Sequence, residues 1–161
     1  MALSDWDWKV LKMKDRPIGV FDSGVGGLTC AKELLKLVPN ENMIYLGDTA
    51  RMPYGVNTKE TLAVYTNDDV EFLQRRDVKL IVAACGTVSS NVPANRIKNL
   101  SVPFIDVISP TISAAVKATK NKRIGIIGTP ATIKSGSFAQ RLKMFDKDIE
   151  IVSQGAPQLV T

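Results

Sequence analysis

Cys85 is the residue whose type and position best suit catalysis. It follows the apolar run 80–84 and precedes Gly86 and Thr87. A thiol at the boundary between a buried strand and a helix faces the positive end of the helix dipole, which predicts a lowered pKa and a thiolate that can remove a proton from carbon. Without other support, a cysteine after an apolar strand is more often a small buried residue, so the interpretation depends on the neighbouring segments.

Two more segments with polar residues follow predicted strands. Asp22 and Ser23 come after the run 18–21, and the loop 48–55 comes after the run 43–46. Ligands bind outside the carboxyl ends of the strands in open α/β sheets, so we expect these two segments and Cys85 to converge there.

The glycine-rich turn 24–27 leads into a predicted helix. Its free backbone N–H groups favour an anion, including a carboxylate, although the pattern also fits a tight turn without a ligand. The third glycine of a dinucleotide fingerprint would fall at Thr29, and Val25 stands where a phosphate-binding loop has lysine. Both departures argue against nucleotide binding.

Composition excludes several classes of chemistry. The chain of 161 residues contains no histidine, so Ser-His triads, histidine acid–base catalysis and histidine metal ligands cannot come from within it. Its two cysteines, Cys30 and Cys85, fit a reducing compartment and form no zinc motif. Cys30 falls inside a predicted helix, and we interpret it as a core residue.

Composition and charge are typical of a soluble globular protein and bear on which partners it could have. The net charge is +5, and the basic residues form no dense stripe with interleaved aromatics, so we expect no nucleic acid partner. A mild basic excess suits an anionic substrate. No apolar stretch is long enough to cross a bilayer, and residues 1–8 lack a secretory signal. We therefore expect no membrane association and a cytoplasmic location.

Hydrophobic periodicity predicts alternating strands and helices. Strands are expected at 18–21, 43–46, 80–84, 102–107, 123–127 and 149–152. Helices are expected at 27–38, 57–76, 87–100, 110–118 and 137–145, with Asn57 and Glu60 as a capping box. This alternation predicts an α/β fold with a mainly parallel sheet flanked by helices.

The order of the elements suggests a division of the chain into three parts. These are an extension at 1–15, a first α/β domain at 16–107 and the beginning of a second α/β domain at 108–161. We expect no helix after the last strand, which would leave one face of a parallel sheet partly exposed. The chain is therefore expected to be truncated or to depend on a partner.

Long motifs resemble the successive signatures of glutamate racemase, in the aspartate/glutamate racemase family. They are IGVFDSGVGGL at 18–28, YLGDTARMPYG at 45–55 and VAACGTVSS at 82–90, and IIGTPATIKSG at 126–136 is similar to a fourth. The resemblance covers the chain from about Pro17 to its end.

The resemblance implies two similar α/β domains with an active site between them, which interconverts L- and D-glutamate for peptidoglycan synthesis without a cofactor or a metal. One cysteine would remove the α-proton and a second, on the opposite face, would return a proton. Cys85 matches the cysteine for one face, and Asp22 would assist it. The residues implied to bind the substrate are Asp22, Ser23, Pro53, Tyr54, Gly55, Gly86, Thr87, Thr129 and Thr132.

Two features depart from the racemase pattern. Gly86 replaces the asparagine of a Cys-Asn-Thr motif, which removes an amide that would have bound the substrate. A lost hydrogen bond to a charged group costs about 1.5–3 kcal/mol. The second catalytic cysteine, which belongs to a Cys-Thr-His motif, has no counterpart in the chain. We therefore expect no appreciable racemisation by this chain alone.

Two interpretations remain open from the sequence. In the first, the chain is part of an amino-acid racemase completed by a second half or by a homodimer, with glutamate favoured over aspartate by the Asp-Ser-Gly and Pro-Tyr-Gly loops. In the second, it is an inactive fragment or a module that binds an amino acid or a protein partner. The glycine at position 86 and the missing second cysteine favour the second interpretation.

Overall fold

A computed structural model describes residues 15–159, so the predicted extension at 1–15 lies outside the described residues apart from Asp15. The strands are β1 (Ile18–Asp22), β2 (Met43–Gly47), β3 (Leu80–Ala83), β4 (Phe104–Asp106), β5 (Arg123–Gly128) and β6 (Glu150–Gly155). The α-helices are α1 (Leu28–Leu37), α2 (Lys59–Gln74), α3 (Gly86–Asn91), α4 (Ile108–Ala118), α5 (Pro130–Ser135) and α6 (Ser137–Phe145). Short 3-10 helices lie at Tyr54–Val56, Ala94–Arg96 and Pro157–Leu159.

Parallel pairing builds two sheets from these strands. The first sheet has the strand order β2-β1-β3-β4, and the second consists of β5 and β6. In the first sheet, Val20 of the inner strand β1 aligns with Tyr45 of β2 and with Val82 of β3. The prediction of an α/β fold with a mainly parallel sheet is confirmed.

Helices cover both faces of the first sheet. Ile18 and Val20 of β1 pack against a cluster that includes Leu34 of α1, whereas Phe21 belongs to a cluster with Leu62 of α2. All residues of β1 are buried, as expected for an inner parallel strand with a helix on each side. Full burial of such a side chain contributes about 1.5–3 kcal/mol. The inner strands therefore give the residues at their carboxyl ends a rigid support.

The second sheet is covered on one face. Ile124 and Ile126 of β5 pack in a cluster with Leu142 of α6. Side chains at alternate positions face outward, and Ile127 and Val152 are 71% and 68% exposed. One face of this sheet is therefore exposed, as expected from the order of the elements, and it carries two large apolar side chains.

Two predicted boundaries along the first half are wrong. The helix expected at 87–100 ends at Asn91, because Pro93 has no N–H to donate and disfavours the helical conformation before it. The cap of α2 is Thr58 rather than Asn57, since Thr58 Oγ1 accepts a hydrogen bond from the backbone N–H of Thr61 at 3.2 Å. The side chain of Asn57 instead donates to the carbonyl of Pro53 at 2.9 Å.

The short helix α5 was not among the predicted helices. Thr129 Oγ1 accepts a hydrogen bond from the backbone N–H of Thr132 at 3.1 Å, and Pro130 occupies the first turn. A threonine cap followed by proline is a favourable helix start. The helix ends at Gly136, whose φ of 67° suits a residue without a Cβ.

Each sheet has its own hydrophobic core, one around Phe21 and Leu62 and another around Leu142. The boundary between domains at 107 and 108 stays a prediction. Within residues 15–159, none of the helices is both long and apolar enough to cross a membrane.

Candidate active site at the carboxyl ends of β1, β2 and β3

The polar segments that follow β1, β2 and β3 lie side by side. The backbone N–H of Asp48 donates to the carbonyl of Asp22 at 2.9 Å, and the N–H of Ala84 donates to the carbonyl of Phe21 at 2.8 Å. These bonds continue the parallel pairing to the strand ends and bring the three segments together. The predicted convergence is confirmed.

Asp22 is buried at the end of β1 and organises the glycine-rich turn. Its Oδ2 accepts hydrogen bonds from the backbone N–H groups of Gly24 and Gly27, each at 3.1 Å. We expected these N–H groups to be free for an anion from outside. Two of them instead bind the carboxylate of Asp22, so the anion they hold belongs to the chain.

Cys85 lies at the end of β3 and is 4% exposed. Its thiol donates a hydrogen bond to Ser23 Oγ, with 3.6 Å between the sulfur and the oxygen. Cys85 therefore faces the segment after β1, as the motif comparison implied.

The expected lowering of the Cys85 pKa is wrong. Burial and the negative charge of Asp22 raise the pKa of the Cys85 thiol, although hydrogen bonds from Val88 and Ser23 act in the opposite direction. The helix that starts after Cys85 has six residues, and its dipole is outweighed by these two effects. The thiol is therefore protonated near neutral pH.

Thr87, Thr129 and Thr132 form a cluster of hydroxyl groups that links α3 to α5. The oxygens of Thr87 and Thr129 are 2.9 Å apart, and Thr129 Oγ1 donates to Thr132 Oγ1 at 3.0 Å. Ser90 Oγ extends the cluster at 3.3 Å from Thr132 Oγ1. The three predicted threonines are thus brought together, and Ser90 is a member that the sequence did not single out.

Gly55 connects the loop after β2 to this cluster. A Cβ placed on Gly55 would lie 2.5 Å from the Cβ of Thr129, closer than real Cβ atoms approach one another. The backbone of the loop therefore contacts Thr129 directly. Pro53 lies on the exposed side of the same loop.

The side chain of Tyr54 is 1% exposed and points into the interior of the protein. Its hydroxyl donates to Asp48 Oδ2 and lies 3.0 Å from Asp69 Oδ2. This phenol is not available to a ligand. The predicted contribution of Tyr54 to substrate binding is therefore limited to its backbone.

Arg51 completes a charged network behind this loop. Its guanidinium donates to Asp68 at 2.7 Å and to Asp69 at 3.0 Å, and it also pairs with Asp48. Arg51 lies over the ring of Tyr65, with 4.5 Å from its Cζ to the ring centroid. The network fixes the loop to α2.

Asp69 is the member of this network that the sequence analysis missed. The buried residues of α2 are Leu62, Thr66, Asp69, Val70 and Leu73, a helical spacing that places one carboxylate within an apolar stripe. The signal available in the sequence was an aspartate at a position that the helical spacing assigns to the buried face. Burial raises the pKa of Asp69 to about 7, and the charge of Asp48 adds to the effect.

Gly86 begins α3 and leaves space beside it. A Cβ at this position would have no atom within 4 Å, so one could be added without displacing a neighbour. Cys30 is half-buried in α1 and packs with the cluster around Val20. Its interpretation as a core residue agrees with this position.

The fold is similar to that of proteins of the aspartate/glutamate racemase type. An aspartate racemase homologue from Pyrococcus horikoshii matches the fold with a TM-score of 0.55 at 16% identity, over 89% of this chain and 66% of that one. No protein-family model matches the chain.

Within that class, the chain is similar to the N-terminal part of glutamate racemase. It is 43% identical to the glutamate racemase of Geobacter metallireducens over 145 residues, which are 90% of this chain and 54% of the relative. A glutamate racemase isoform from Bacillus anthracis matches with a TM-score of 0.86 at 40% identity, over 91% of this chain and 55% of that one. The glutamate racemase of Francisella tularensis in complex with D-glutamate matches with a TM-score of 0.77 at 39% identity, over 86% and 52%. The chain thus spans about half the length of these relatives.

Proposed function

We propose that the chain forms one half-site of a glutamate racemase, in which Cys85 exchanges a proton with the α-carbon of glutamate on one face. The observation that carries the proposal is the position of the Cys85 thiol, 3.6 Å from Ser23 Oγ and beside Asp22, at the carboxyl ends of neighbouring parallel strands. A thiol and its thiolate are sufficient for this proton transfer, so the proposal includes no cofactor and no metal.

The proposed step starts from the Cys85 thiolate. Its sulfur removes the α-proton, the electron pair of the C–H bond remains on the α-carbon and spreads into the α-carboxylate, and a new S–H bond forms. Because burial and the charge of Asp22 raise the pKa of Cys85, an ammonium group bound beside Asp22 would favour the thiolate. The substrate thus supplies the positive charge that activates its own base.

Hydroxyl groups near Cys85 are suited to bind the carboxylates of an amino diacid. Thr87 and Thr132 are buried, and Thr129 lies between them within hydrogen-bond distance of both. Hydroxyls that exchange bonds with one another can turn to donate to an anion without leaving a buried group unpaired. We favour glutamate over aspartate because of the motifs in the loops after β1 and β2.

Inversion requires a second acid on the opposite face of the substrate. The other cysteine of the chain, Cys30, packs against the core from α1, so it is not a candidate. We propose that a second half, comparable to the part of the relatives that this chain does not span, supplies this acid and covers the exposed face around Ile127 and Val152. A homodimer is the other arrangement, and the proposed setting is the supply of D-glutamate for peptidoglycan in the cytoplasm.

Incorporation of solvent deuterium at the α-carbon of D- and L-glutamate, followed by NMR, tests the proposal. A half-site with one base exchanges the α-proton of one enantiomer and keeps its configuration, because the same sulfur returns the deuteron to the face it came from. Exchange into both enantiomers with inversion would show that a second base is present. No exchange into either, at any pH up to the titration of the thiol, would contradict the proposal.

A binding module for amino acids is the second candidate function. It is favoured by Gly86, which lacks the asparagine side chain of the racemase motif. A Cβ at this position would have no atom within 4 Å, so the space beside Gly86 is empty. Saturable binding of glutamate without α-proton exchange would support it.

Gly86→Asn should raise the affinity for glutamate about ten- to a hundred-fold, because one hydrogen bond to a charged group is worth about 1.5–3 kcal/mol. The Cβ that this change adds would have no atom within 4 Å. Isothermal titration calorimetry with glutamate measures the effect. Gly125→Asn is the matched control, since a Cβ at Gly125 in β5 also has no atom within 4 Å. Equal changes in both variants would contradict a role of position 86 in binding.

A further inference from the structure

The charged network behind the loop after β2 consists of Asp48, Arg51, Tyr54, Asp68 and Asp69. If all three carboxyl groups are ionised, the network has too few protons for the hydrogen bonds that its geometry indicates. Tyr54 Oη lies within hydrogen-bond distance of Oδ2 of both Asp48 and Asp69. A phenol has one proton to donate and otherwise accepts. Only one of these two contacts can therefore be a hydrogen bond from tyrosine to carboxylate.

Asp69 is the more deeply buried of the two carboxyl groups, with 2% exposure against 9% for Asp48, so Asp69 is the one that burial favours in the neutral form, and the phenol proton is donated to Asp48. The contact of 3.0 Å between Tyr54 Oη and Asp69 Oδ2 then needs a proton on Asp69, which Asp69 donates to the phenol oxygen. With that proton in place, the two carboxyl oxygens and the phenol oxygen between them are all hydrogen-bonded, from Asp69 to Tyr54 and from Tyr54 to Asp48. Without it, two buried oxygens that both carry lone pairs face one another, which is costly at low dielectric.

The charges around Asp69 agree with this count. The charged groups that face it are Asp48 and Arg51 from the loop and Asp68 from its own helix. Three ionised carboxylates around one guanidinium would leave a net charge of two negative units. Of the three carboxylates, Asp68 lies at the surface, whereas Asp48 and Asp69 are buried. A neutral Asp69 leaves Arg51 paired with Asp48 inside the protein and with Asp68 at the surface.

The loop held by this network reaches the candidate active site within one residue. Tyr54 is followed by Gly55, whose backbone presses against Thr129 so closely that a Cβ would lie 2.5 Å from the threonine Cβ. Thr129 in turn is 2.9 Å from the hydroxyl of Thr87, two residues after Cys85. A shift of Tyr54 would therefore be passed through Gly55 to Thr129 and from there to Thr87.

We propose that Asp69 is a positioning residue that acts in its protonated form. It donates its carboxyl proton to Tyr54, and Tyr54 donates to Asp48. These two hydrogen bonds hold the Pro53–Gly55 segment against Thr129. The effect of Asp69 on a substrate rests on the proposed function, whereas the proton on Asp69 does not. Ionisation of Asp69 removes the donor to Tyr54 and places a second negative charge beside Asp48. The segment is then held less firmly, and glutamate binds more weakly.

NMR titration of the chain labelled with ¹³C at the aspartate carboxyl carbons tests the proton directly. We expect one aspartate to titrate at about pH 7. The titration should persist in Asp68→Asn, the matched control from the adjacent position, and should disappear in Asp69→Asn. If every aspartate of the folded wild-type chain is already ionised at about pH 5, the proposal is overturned. This result needs no variant to fold and no substrate to bind.

The pH dependence of unfolding gives a second readout that a merely structural contact would not produce. A carboxyl whose pKa is higher in the folded than in the unfolded chain binds more protons when folded, so stability falls as the pH rises from the ordinary aspartate range to about 7 and then levels off. Asp69→Asn keeps a donor to Tyr54 and an acceptor for Arg51, and it should lose this fall in the urea midpoint. A fall that persists unchanged in Asp69→Asn would overturn the proposal.

Glutamate affinity connects the two parts of the inference. In the wild-type chain the dissociation constant should rise several-fold as the pH passes through about 7, and in Asp69→Asn it should stay flat over that range. Parallel pH dependence in the two proteins would overturn the positioning role. Failure of the proposed function would appear differently, as absence of glutamate binding at every pH alongside a normal carboxyl titration.

Discussion

Cys85→Ser should reduce α-proton exchange about a hundred- to ten-thousand-fold, the usual contribution of a positioned acid–base group. Serine has nearly the size of cysteine, so the buried position at the end of β3 is kept. Its hydroxyl, however, is a far weaker acid than a thiol and does not ionise in the accessible pH range. The rate of deuterium incorporation into glutamate, measured by NMR, reports the loss.

Cys30→Ser is the matched control for this substitution. Cys30 is the other cysteine of the chain and lies in α1, half-buried against the core. Its replacement should leave the exchange rate within about two-fold of wild type, since surface and half-buried changes of this kind alter stability only modestly. Equal losses in the two variants would indicate a general effect of removing sulfur and would refute a special role of Cys85.

The pH profile gives independent information on the same group. Because burial and Asp22 raise the pKa of Cys85 above its ordinary value of 9.0, kcat/KM for exchange, which follows the free protein, should still rise with pH beyond that value. The kcat for exchange, which follows the complex, should level off at a lower pH, because the ammonium group of bound glutamate lowers the thiol pKa. Identical pH profiles of the two constants would contradict the proposed role of the ammonium group. The thiolate absorbance of the free protein, followed over the same range, reports the thiol pKa that kcat/KM should follow.

The strands could be predicted from the sequence because each inner strand is an apolar run that ends in a polar turn. Ile18–Asp22 and Leu80–Ala83 were predicted within one residue. Helix starts were harder. Asn57 and Thr58 are both good caps, and which one accepts the first hydrogen bond depends on how the chain leaves the 3-10 helix at Tyr54.

The placement of the site residues could be predicted from the sequence, whereas the electrostatics of the site could not. The rule that parallel strands end at a common edge was enough to bring Asp22, Ser23 and Cys85 together. The direction of the Cys85 pKa shift required the depth of burial and the proximity of Asp22, which no sequence pattern reports. The inward orientation of Tyr54 was missed for the same reason, since its partner Asp69 lies fifteen positions away in a helix.

Gly27→Ala should destabilise the protein by about 1–3 kcal/mol, the usual cost of inserting a methyl group into a filled space. A Cβ at Gly27 would lie 2.6 Å from the Cβ of Asp22 and 2.9 Å from the Cβ of Ala84. Neither of these atoms belongs to a flexible side-chain end, so the start of α1 would have to move away from the ends of β1 and β3 beside Cys85. The backbone of Gly27 has helical angles, and the loss therefore comes from contact rather than from strain.

Gly26→Ala is the matched control, one position earlier in the same turn. The nearest atom to a Cβ there is Asp22 Oδ2 at 3.6 Å, an ordinary contact. Alanine at such a position should be neutral or stabilise by about 0.4–1 kcal/mol, because it restricts the unfolded chain.

Urea unfolding compares the free energies of unfolding of the two variants. Equal slopes of this free energy against urea concentration would show that both unfold in the same way. Since Gly27→Ala acts at the strand ends that hold Asp22 and Cys85, it should also reduce α-proton exchange, whereas Gly26→Ala should not. Equal stability of the two variants would mean that the start of α1 adjusts to the added methyl group without cost, and the site would then be less firmly supported than its buried strands indicate.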